Sequence, residues 1–327
     1  MFSPVVSVLL ASSLYRESDT INKTWEWEGQ GLLLLSHTRR KFLLAGAAAA
    51  GALALGAEGL LVEPNHPKLV RVEIPFPRLP AAFDGFTIAQ LSDFHYDEYL
   101  GVVPIRAAIE IVNRVQPDVV VLTGDFVTVS FFADYLHNQK ESAMMAGPCA
   151  ALLEHLRSRF GSLAVLGNHD VDASAGLVTE ALMSHGITVL RNRAHAIEQS
   201  GARLWFCGLD SMWGKPRIDL ALREVAKDEP VILLVHEPDF ADRAAKHRVD
   251  LQLSGHSHGG QVWLPGIGAP WLPSYARKYP RGQYAVGPLT LYTNIGLGTI
   301  RVPMRLNCTP EVTLFTLRAG KANRSGS

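Results

Sequence analysis

The chain has 327 residues, 47% hydrophobic and 19% charged, which is enough apolar material for a buried core and excludes a wholly disordered polypeptide. Lys plus Arg and Asp plus Glu number 31 each, so the formal charge is zero, and this excludes a dedicated nucleic-acid binder carried by an overall basic surface. The three cysteines, Cys149, Cys207 and Cys308, form no close pair; a disulfide framework is excluded and they are expected to pack as small apolar side chains.

Residues 1–62 differ from the rest. Residues 1–36 form an extension to which no function is assigned. Thr38-Arg39-Arg40-Lys41-Phe42-Leu43-Leu44 then leads into an Ala, Gly and Leu run that reaches Val62 with Glu58 as its only charge. Paired arginines ahead of such a run resemble a twin-arginine signal, with the export machinery as partner and a periplasmic or other extracytoplasmic destination. If the segment is kept, its roughly twenty apolar residues suffice to cross a bilayer, and it becomes a membrane anchor. One domain is expected over 68–319 and a disordered tail over 320–327.

Within the domain, five short apolar runs read as buried strands: Thr87-Ile88-Ala89-Gln90-Leu91, Val119-Val120-Val121-Leu122, Leu163-Ala164-Val165-Leu166, Val231-Ile232-Leu233-Leu234-Val235 and Leu251-Gln252-Leu253. Each is followed by a polar cluster: Ser92-Asp93-Phe94-His95, Gly124-Asp125, Gly167-Asn168-His169-Asp170, His236, and Gly255-His256-Ser257-His258. In open α/β sheets the carboxyl edge of the strands is where loops converge and ligands bind. Amphipathic spacing predicts a helix over Val103–Val115, ended before Pro117, and further helices over Cys149–Arg159 and Leu177–His185. Arg203–Gly208 and Leu289–Asn294 read as additional strands.

Asp, His and Asn together supply anionic oxygen, imidazole nitrogen and amide oxygen, a donor set without thiolate that suits Mn, Fe or Zn. Taken singly, Gly124-Asp125 reads equally as a turn and Asn168-His169-Asp170 as a helix cap. Taken together and in order, seven ligand residues behind successive strands point to a pocket for two divalent ions. The other histidines, among them His66, His155, His185, His195 and His247, have no such context and are expected at the surface or at caps.

The order Asp-x-His, Gly-Asp, Gly-Asn-His-Asp, His, Gly-His-x-His resembles the calcineurin-like metallophosphoesterase family, over about residues 68–319. The run Gly255–Gln261 with Pro265, Gly296-Leu297-Gly298 and Pro310-Glu311 looks like that family's exported bacterial phosphodiesterase branch. The resemblance implies a four-layer α/β/β/α sandwich, two mixed β-sheets flanked by helices. It implies two divalent metal ions (Mn, Fe or Zn), one held by Asp93, His95 and His258, the other by Asn168, His236 and His256, with Asp125 bridging. It further implies a phosphoesterase, acting on diesters or monoesters, whose nucleophile is a hydroxide shared by both ions. His169 would act as an imidazolium on the leaving group, and Asp170 would orient its ring or remain a solvated loop carboxylate.

Substrate class follows less directly. The connection Phe126–Gly147 carries Phe131, Phe132, Tyr135, Met144 and Met145, and Trp263–Tyr279 carries Trp263, Trp271, Tyr275, Arg277, Lys278 and Tyr279. Aromatic and basic residues together suit a phosphorylated small molecule or lipid. A membrane-associated pyrophosphatase similar to those acting on UDP-2,3-diacylglucosamine is the second reading, and a metal-binding scaffold without catalysis the third. The scaffold would be expected to lack ligands, and none is missing.

Overall fold

A computed structural model describes residues 26–96, 101–129 and 139–320. The chain divides into two units, Met1–Ala54 and Leu55–Ser327. In the first unit the described residues belong to helix α1 (Glu26–Ala57), along which Phe42, Leu43, Leu44 and Leu53 are exposed. Arg39–Asn65 is long and apolar enough to cross a membrane.

The second unit contains two six-stranded sheets among the described residues. In chain order its elements are β1 (Lys68–Phe76), β2 (Thr87–Leu91), α2 (Val102–Val115), β3 (Val119–Leu122), α3 (Gln139–Met144), α4 (Ala146–Leu153), β4 (Ser162–Ala164), α5 (Asn168–Ser184) and β5 (Thr188–Val189). There follow β6 (Arg193–Gln199), β7 (Ala202–Gly208), α6 (Ile218–Ala221), β8 (Val231–Leu234), α7 (Ala241–Ala244), β9 (Leu251–Ser254), β10 (Gly282–Val286), β11 (Leu289–Thr293) and β12 (Glu311–Ala319). One sheet runs β1-β12-β2-β3-β4-β5 and the other β10-β11-β9-β8-β7-β6. Both are mixed: β12 is antiparallel to β2, and β6 and β10 are antiparallel to their neighbours.

Alternation along the strands explains the layering, because successive side chains face opposite sides of a sheet. Ile88, Val119 and Val121 meet Ile232, Leu234, Leu251 and Leu253 between the sheets. Ala89, Leu91, Val120 and Leu122 face outward to Ile105, Ile109 and Val112 of α2, to Cys149 and Leu153 of α4, and to Val178 and Leu182 of α5. Val231 and Leu233 face the other side, to Ile218 and Ala221 of α6 and Ala241 and Ala244 of α7. Three apolar layers separate four layers of backbone, so the fold is the α/β/β/α sandwich. All three cysteines are buried and unpaired.

Several expected boundaries move. Leu55–Asn65, at the end of the expected extension, belongs to the second unit. There the Gly59 carbonyl accepts the Arg305 N–H at 2.8 Å, and the Glu63 carboxylate accepts the N–H groups of Asn307 and Cys308 and the Thr309 hydroxyl. The expected helix Cys149–Arg159 starts earlier and stops at Leu153; Asn113 on α2 donates to the His155 carbonyl and accepts the Arg157 N–H, which takes those groups out of any helical ladder. The helix expected from Leu177 starts nine residues sooner, at Asn168, and is interrupted at Ser174. Its first turns carry polar site residues in place of an apolar stripe, and the periodicity that predicts a helix begins only after the break. The tail beyond Gly320, residues 1–25, and Phe131, Phe132 and Tyr135 lie outside the described residues.

Candidate metal centre

Asp93 and His95 follow β2, Asp125 follows β3, Asn168 and His169 open α5 beyond β4, His236 follows β8, and His256 and His258 follow β9. Parallel pairing of β2 with β3, β3 with β4, and β8 with β9 brings these ends to one edge of the two sheets. Ligand atoms of Asp93, His95 and His258 lie within 4.8 Å of one another, as do those of Asp125, His236 and His256, and those of His95, Asp125 and His169. His95 Nε2 and His258 Nε2 are 3.0 Å apart, and His258 Nε2 is 3.3 Å from an Asp93 oxygen. Asp125 Oδ2 is 3.1 Å from His236 Nε2 and 3.5 Å from His95 Nε2, placing this carboxylate between the two sets.

The backbone bends unusually to achieve this. Asp93, His95, Asp125, His256 and His258 all have positive φ, between 41° and 69°. Non-glycine residues rarely adopt that region, and strain of this kind concentrates where function fixes the geometry. Gly255 permits the closest approach: a Cβ there would collide with Ser92 Oγ and Asp93 Oδ2.

The rings of His236 and His256 are oriented from behind. His236 Nδ1 lies 2.6 Å from the Thr123 carbonyl, which fixes its proton there and leaves Nε2 free toward the site. His256 Nε2 donates to the Ser274 carbonyl at 2.8 Å, which leaves Nδ1 for the site. Metal-ligating histidines are held in this way, with the distal N–H on a carbonyl. Asn168 Oδ1 is buried without a hydrogen-bond partner among the described residues, and His236 Nε2 faces only carboxylate oxygens, with Asp125 Oδ2 at 3.1 Å. An unsatisfied buried polar atom costs about 1–3 kcal/mol. Cations in the pocket would satisfy both atoms, and the donor set of carboxylates, imidazoles and one amide oxygen suits divalent ions.

The electrostatics agree. Burial pulls the His95 and His256 pKa values down to about 3 and that of His258 well below its ordinary value, so these rings are neutral, the form that ligates metal. Burial also pulls His236 down, but Asp125 and Asp93 outweigh it and its pKa is raised. Burial pushes Asp125 up, and the charge of His236 beside it, with their hydrogen bond, brings it well below the usual carboxylate range. Burial raises Asp93 to about 6. Metal must therefore displace a proton from His236, and below about pH 6 from Asp93 as well. Affinity is expected to fall as pH drops, since protons compete for these two ligands. Titration calorimetry in buffers of different ionisation enthalpy should show proton release on loading; a buffer-independent heat would contradict this.

Asp170 corrects an expectation. It does not orient the His169 ring: its carboxylate accepts the N–H groups of Gly167, Asp125, Phe126 and Val127, at 2.8, 2.8, 2.8 and 3.2 Å. The side chain is fully buried, so it is no solvated loop carboxylate either. It is a positioning residue that ties the Asp125 loop to the first turn of α5. Asp170→Ala would orphan these four N–H groups, and a loss of at least ~4 kcal/mol is expected at ~1–3 kcal/mol for each unsatisfied group. Urea unfolding of the metal-free protein checks this; unchanged stability with reduced turnover would restore a catalytic role.

His169 is placed differently from expectation too. Its Nδ1 accepts the Val129 N–H at 3.0 Å, so Nδ1 is unprotonated and the ring is the neutral Nε2–H tautomer, not an imidazolium. The ring stands edge-on to His95, with centroids 4.8 Å apart.

The ligands open onto a cleft of about 780 Å³ lined by Asp125, Asn168, His169, His256 and His258 on its floor and by Trp213, Trp271, Ile300 and Arg301 among its walls. Of the aromatic and basic residues expected here, Trp271 lines the cleft. Tyr275 stacks edge-on against Trp213, Trp263 lies under the Arg281 guanidinium, and Tyr279 bonds to Asp242. Lys278 is paired with Asp242. Trp213 was not anticipated, although it follows β7 at the same sheet edge; Glu237, next to His236, anchors it by accepting the Ser211 hydroxyl and the Met212 N–H. Arg301 has no sequence signal, standing alone in a loop. Nor has Arg305, fully buried, which donates to the carbonyls of Ile295, Gly298 and Cys308 behind the Asp93 loop.

Comparison with known proteins places these features. The calcineurin-like phosphoesterase family profile matches residues 86–260. The chain is 36% identical to metallophosphoesterase YkuE of Bacillus subtilis (strain 168), covering 86% of this chain and 98% of YkuE. It is 32% identical to phosphodiesterase YaeI of Escherichia coli (strain K12), covering 86% of this chain and 99% of YaeI. A Bos taurus transmembrane protein with metallophosphoesterase domain is 31% identical, over 89% of this chain and 66% of its own length.

Proposed function

Because the chain belongs to the calcineurin-like phosphoesterase family, whose members are hydrolases of phosphoric esters that use divalent metals, we propose that its pocket is a binuclear centre for phosphodiester hydrolysis. Asp93, His95 and His258 would hold one ion and Asn168, His236 and His256 the other, with Asp125 available to both. The observation that carries this reading is Asn168 Oδ1, buried without a hydrogen-bond partner among the described residues, in a pocket where the His95 and His256 imidazoles are neutral. When bound, two such ions supply Lewis acidity and lower the pKa of water.

The chain's own residues supply the rest. His169 offers Nε2–H to the phosphoryl or leaving-group oxygen, because its Nδ1 is already engaged with the Val129 N–H. A neutral imidazole is a hydrogen-bond donor, so it offsets developing charge and does not transfer its proton. The Asp125 carboxylate is fixed at Oδ1 by the His169 N–H at 2.9 Å, which couples the bridging position to the leaving-group side. Arg301 on the cleft wall adds positive charge where an anionic substrate enters.

A diester is favoured over a monoester because YaeI, similar along nearly its whole length, is named a phosphodiesterase. The test is metal-reconstituted full chain with bis(4-nitrophenyl) phosphate, 4-nitrophenyl phosphate and a UDP-sugar lipid. Metal-dependent turnover of the diester is expected; activity confined to either of the others would overturn the substrate class. Arg39–Asn65 is proposed to hold the catalytic unit at a membrane, with Arg39-Arg40 as the twin-arginine export signal that delivers it to the extracytoplasmic face.

A further inference from the structure

Three observations converge on the rim of the cleft. The first is charge: residues 251–310 contain no Asp or Glu, yet carry Arg277, Lys278, Arg281, Arg301 and Arg305. Of these only Arg305 is fully buried. The second is apolar exposure in the same stretch. Ile267, at the tip of a turn closed by two hydrogen bonds between Leu264 and Gly268, is 78% exposed; Val302 is 54% and Trp271 48% exposed. Strands of this rim are tied to each other, since Gln261 Nε2 donates to the Val302 and Met304 carbonyls, Trp263 N–H to Leu306, and the Arg301 guanidinium lies 4.9 Å from the Trp271 ring. Scattered exposed apolar side chains are ordinary, but three of them on one rim whose own residues include no acid are not; Asp239 and Asp242 reach only residues 277–279, where Asp242 pairs with Lys278.

The third observation is position. Within the second unit the loop 299–305 has the cleft on one side, through Ile300 and Arg301, and the end of the apolar segment on the other, through the bond from Arg305 N–H to Gly59. Within the second unit, Leu60, Pro64 and Asn65 from that segment thus line the same small cavity, of only about 30 Å³, as the site residue His95. Leu60, Leu61 and Val62 are themselves 44%, 69% and 42% exposed at that junction.

We infer that the rim carrying Ile267, Trp271, Arg301 and Val302 is a docking surface for an anionic phospholipid bilayer, which opens the cleft onto the membrane surface and selects amphiphilic phosphodiesters. Apolar tips enter the acyl boundary while Arg301 and the neighbouring arginines meet the phosphate layer; an aromatic residue such as Trp271 sits at the level between. This rests on the phosphodiesterase reading for its substrate, but the docking itself does not.

The test uses the full chain in nanodiscs of phosphatidylcholine and phosphatidylglycerol. An environment-sensitive fluorophore is attached at Ile267→Cys and, as a control, at Ser200→Cys on the β6–β7 turn, at the opposite end of the strands from the ligands; the native cysteines are buried. Expected are a blue shift and quenching by spin-labelled lipid at 267 and neither at 200. Equal, unquenched emission at both positions would overturn the docking surface. In parallel, Ile267→Glu/Val302→Glu is compared with the native chain on hexadecyl 4-nitrophenyl phosphate in the bilayer and on soluble methyl 4-nitrophenyl phosphate. Burial of a large apolar side chain corresponds to roughly tenfold or more in partitioning, so bilayer turnover should fall at least about tenfold with soluble turnover unchanged. An equal effect on both substrates would reject interfacial selection. Insertion at 267 with neither diester hydrolysed by the native chain would support docking and remove the phosphodiesterase reading alone.

Discussion

Asp125→Asn is expected to leave the fold intact, cut metal stoichiometry to one ion or fewer per chain and bring diester hydrolysis to background. Asparagine is isosteric, and its amide oxygen can still accept the His169 N–H that Asp125 Oδ1 accepts now. What disappears is the negative charge between the two ligand sets. Two divalent ions sharing one pocket repel strongly, and a shared carboxylate is the means of holding both. Outer-shell substitutions around metals cost about 10–100-fold in affinity, and loss of a bridging ligand should exceed that. The same substitution removes the carboxylate that holds the His236 pKa up, so proton release on loading should shrink in parallel. Plasma mass spectrometry of the purified variant, diester turnover and two-buffer calorimetry read these effects. Normal stoichiometry and turnover would refute the bridging role.

The convergence of the candidate ligands was legible because each directly follows a short apolar run, and parallel strands must carry such positions to one sheet edge. His256 and His258 illustrate this: β9 is four residues of buried strand, and the turn beyond it has nowhere to go except over the edge. What sequence did not convey were the contacts that orient the ligands. Asp170 sits beside His169 in the chain, so adjacency suggested a partnership. Because α5 begins at Asn168, Asp170 lies at its third position, turned back toward Gly167 and the Asp125 loop, where four N–H groups claim it. Asp170 thus joins both readings of the Asn168-His169-Asp170 cluster, since the cap is what positions the site. The clamp of Glu63 on residues 307–309 links positions some 245 apart in sequence, and no local pattern encodes such a pairing. Arg305 likewise shows only as one basic residue in a Pro-rich loop, and its burial behind the Asp93 loop is a property of the assembled sheets.

For His169→Ala, the expected result is full metal content with kcat lowered roughly 10²- to 10³-fold, the loss seen when one preorganised donor to developing negative charge is removed. Its geometry sets the character of the loss as well as its size. Nδ1 is occupied by the Val129 N–H, so only Nε2–H can reach substrate, and it reaches as a neutral donor. A hydrogen bond to the departing oxygen matters most when that oxygen carries most charge, which is the case for an alkoxide and less so for 4-nitrophenolate. The defect should therefore grow as the leaving group becomes more basic, along a series of aryl and alkyl methyl phosphates, while KM for each changes little. A defect of constant size across the series would move the contact from the leaving oxygen to a phosphoryl oxygen. His95, Asp125 and His169 also form a third group of ligand atoms within 4.8 Å, so metal content must be measured on the same sample. Loss of an ion from His169→Ala would make the ring a ligand and would end its assignment as a donor.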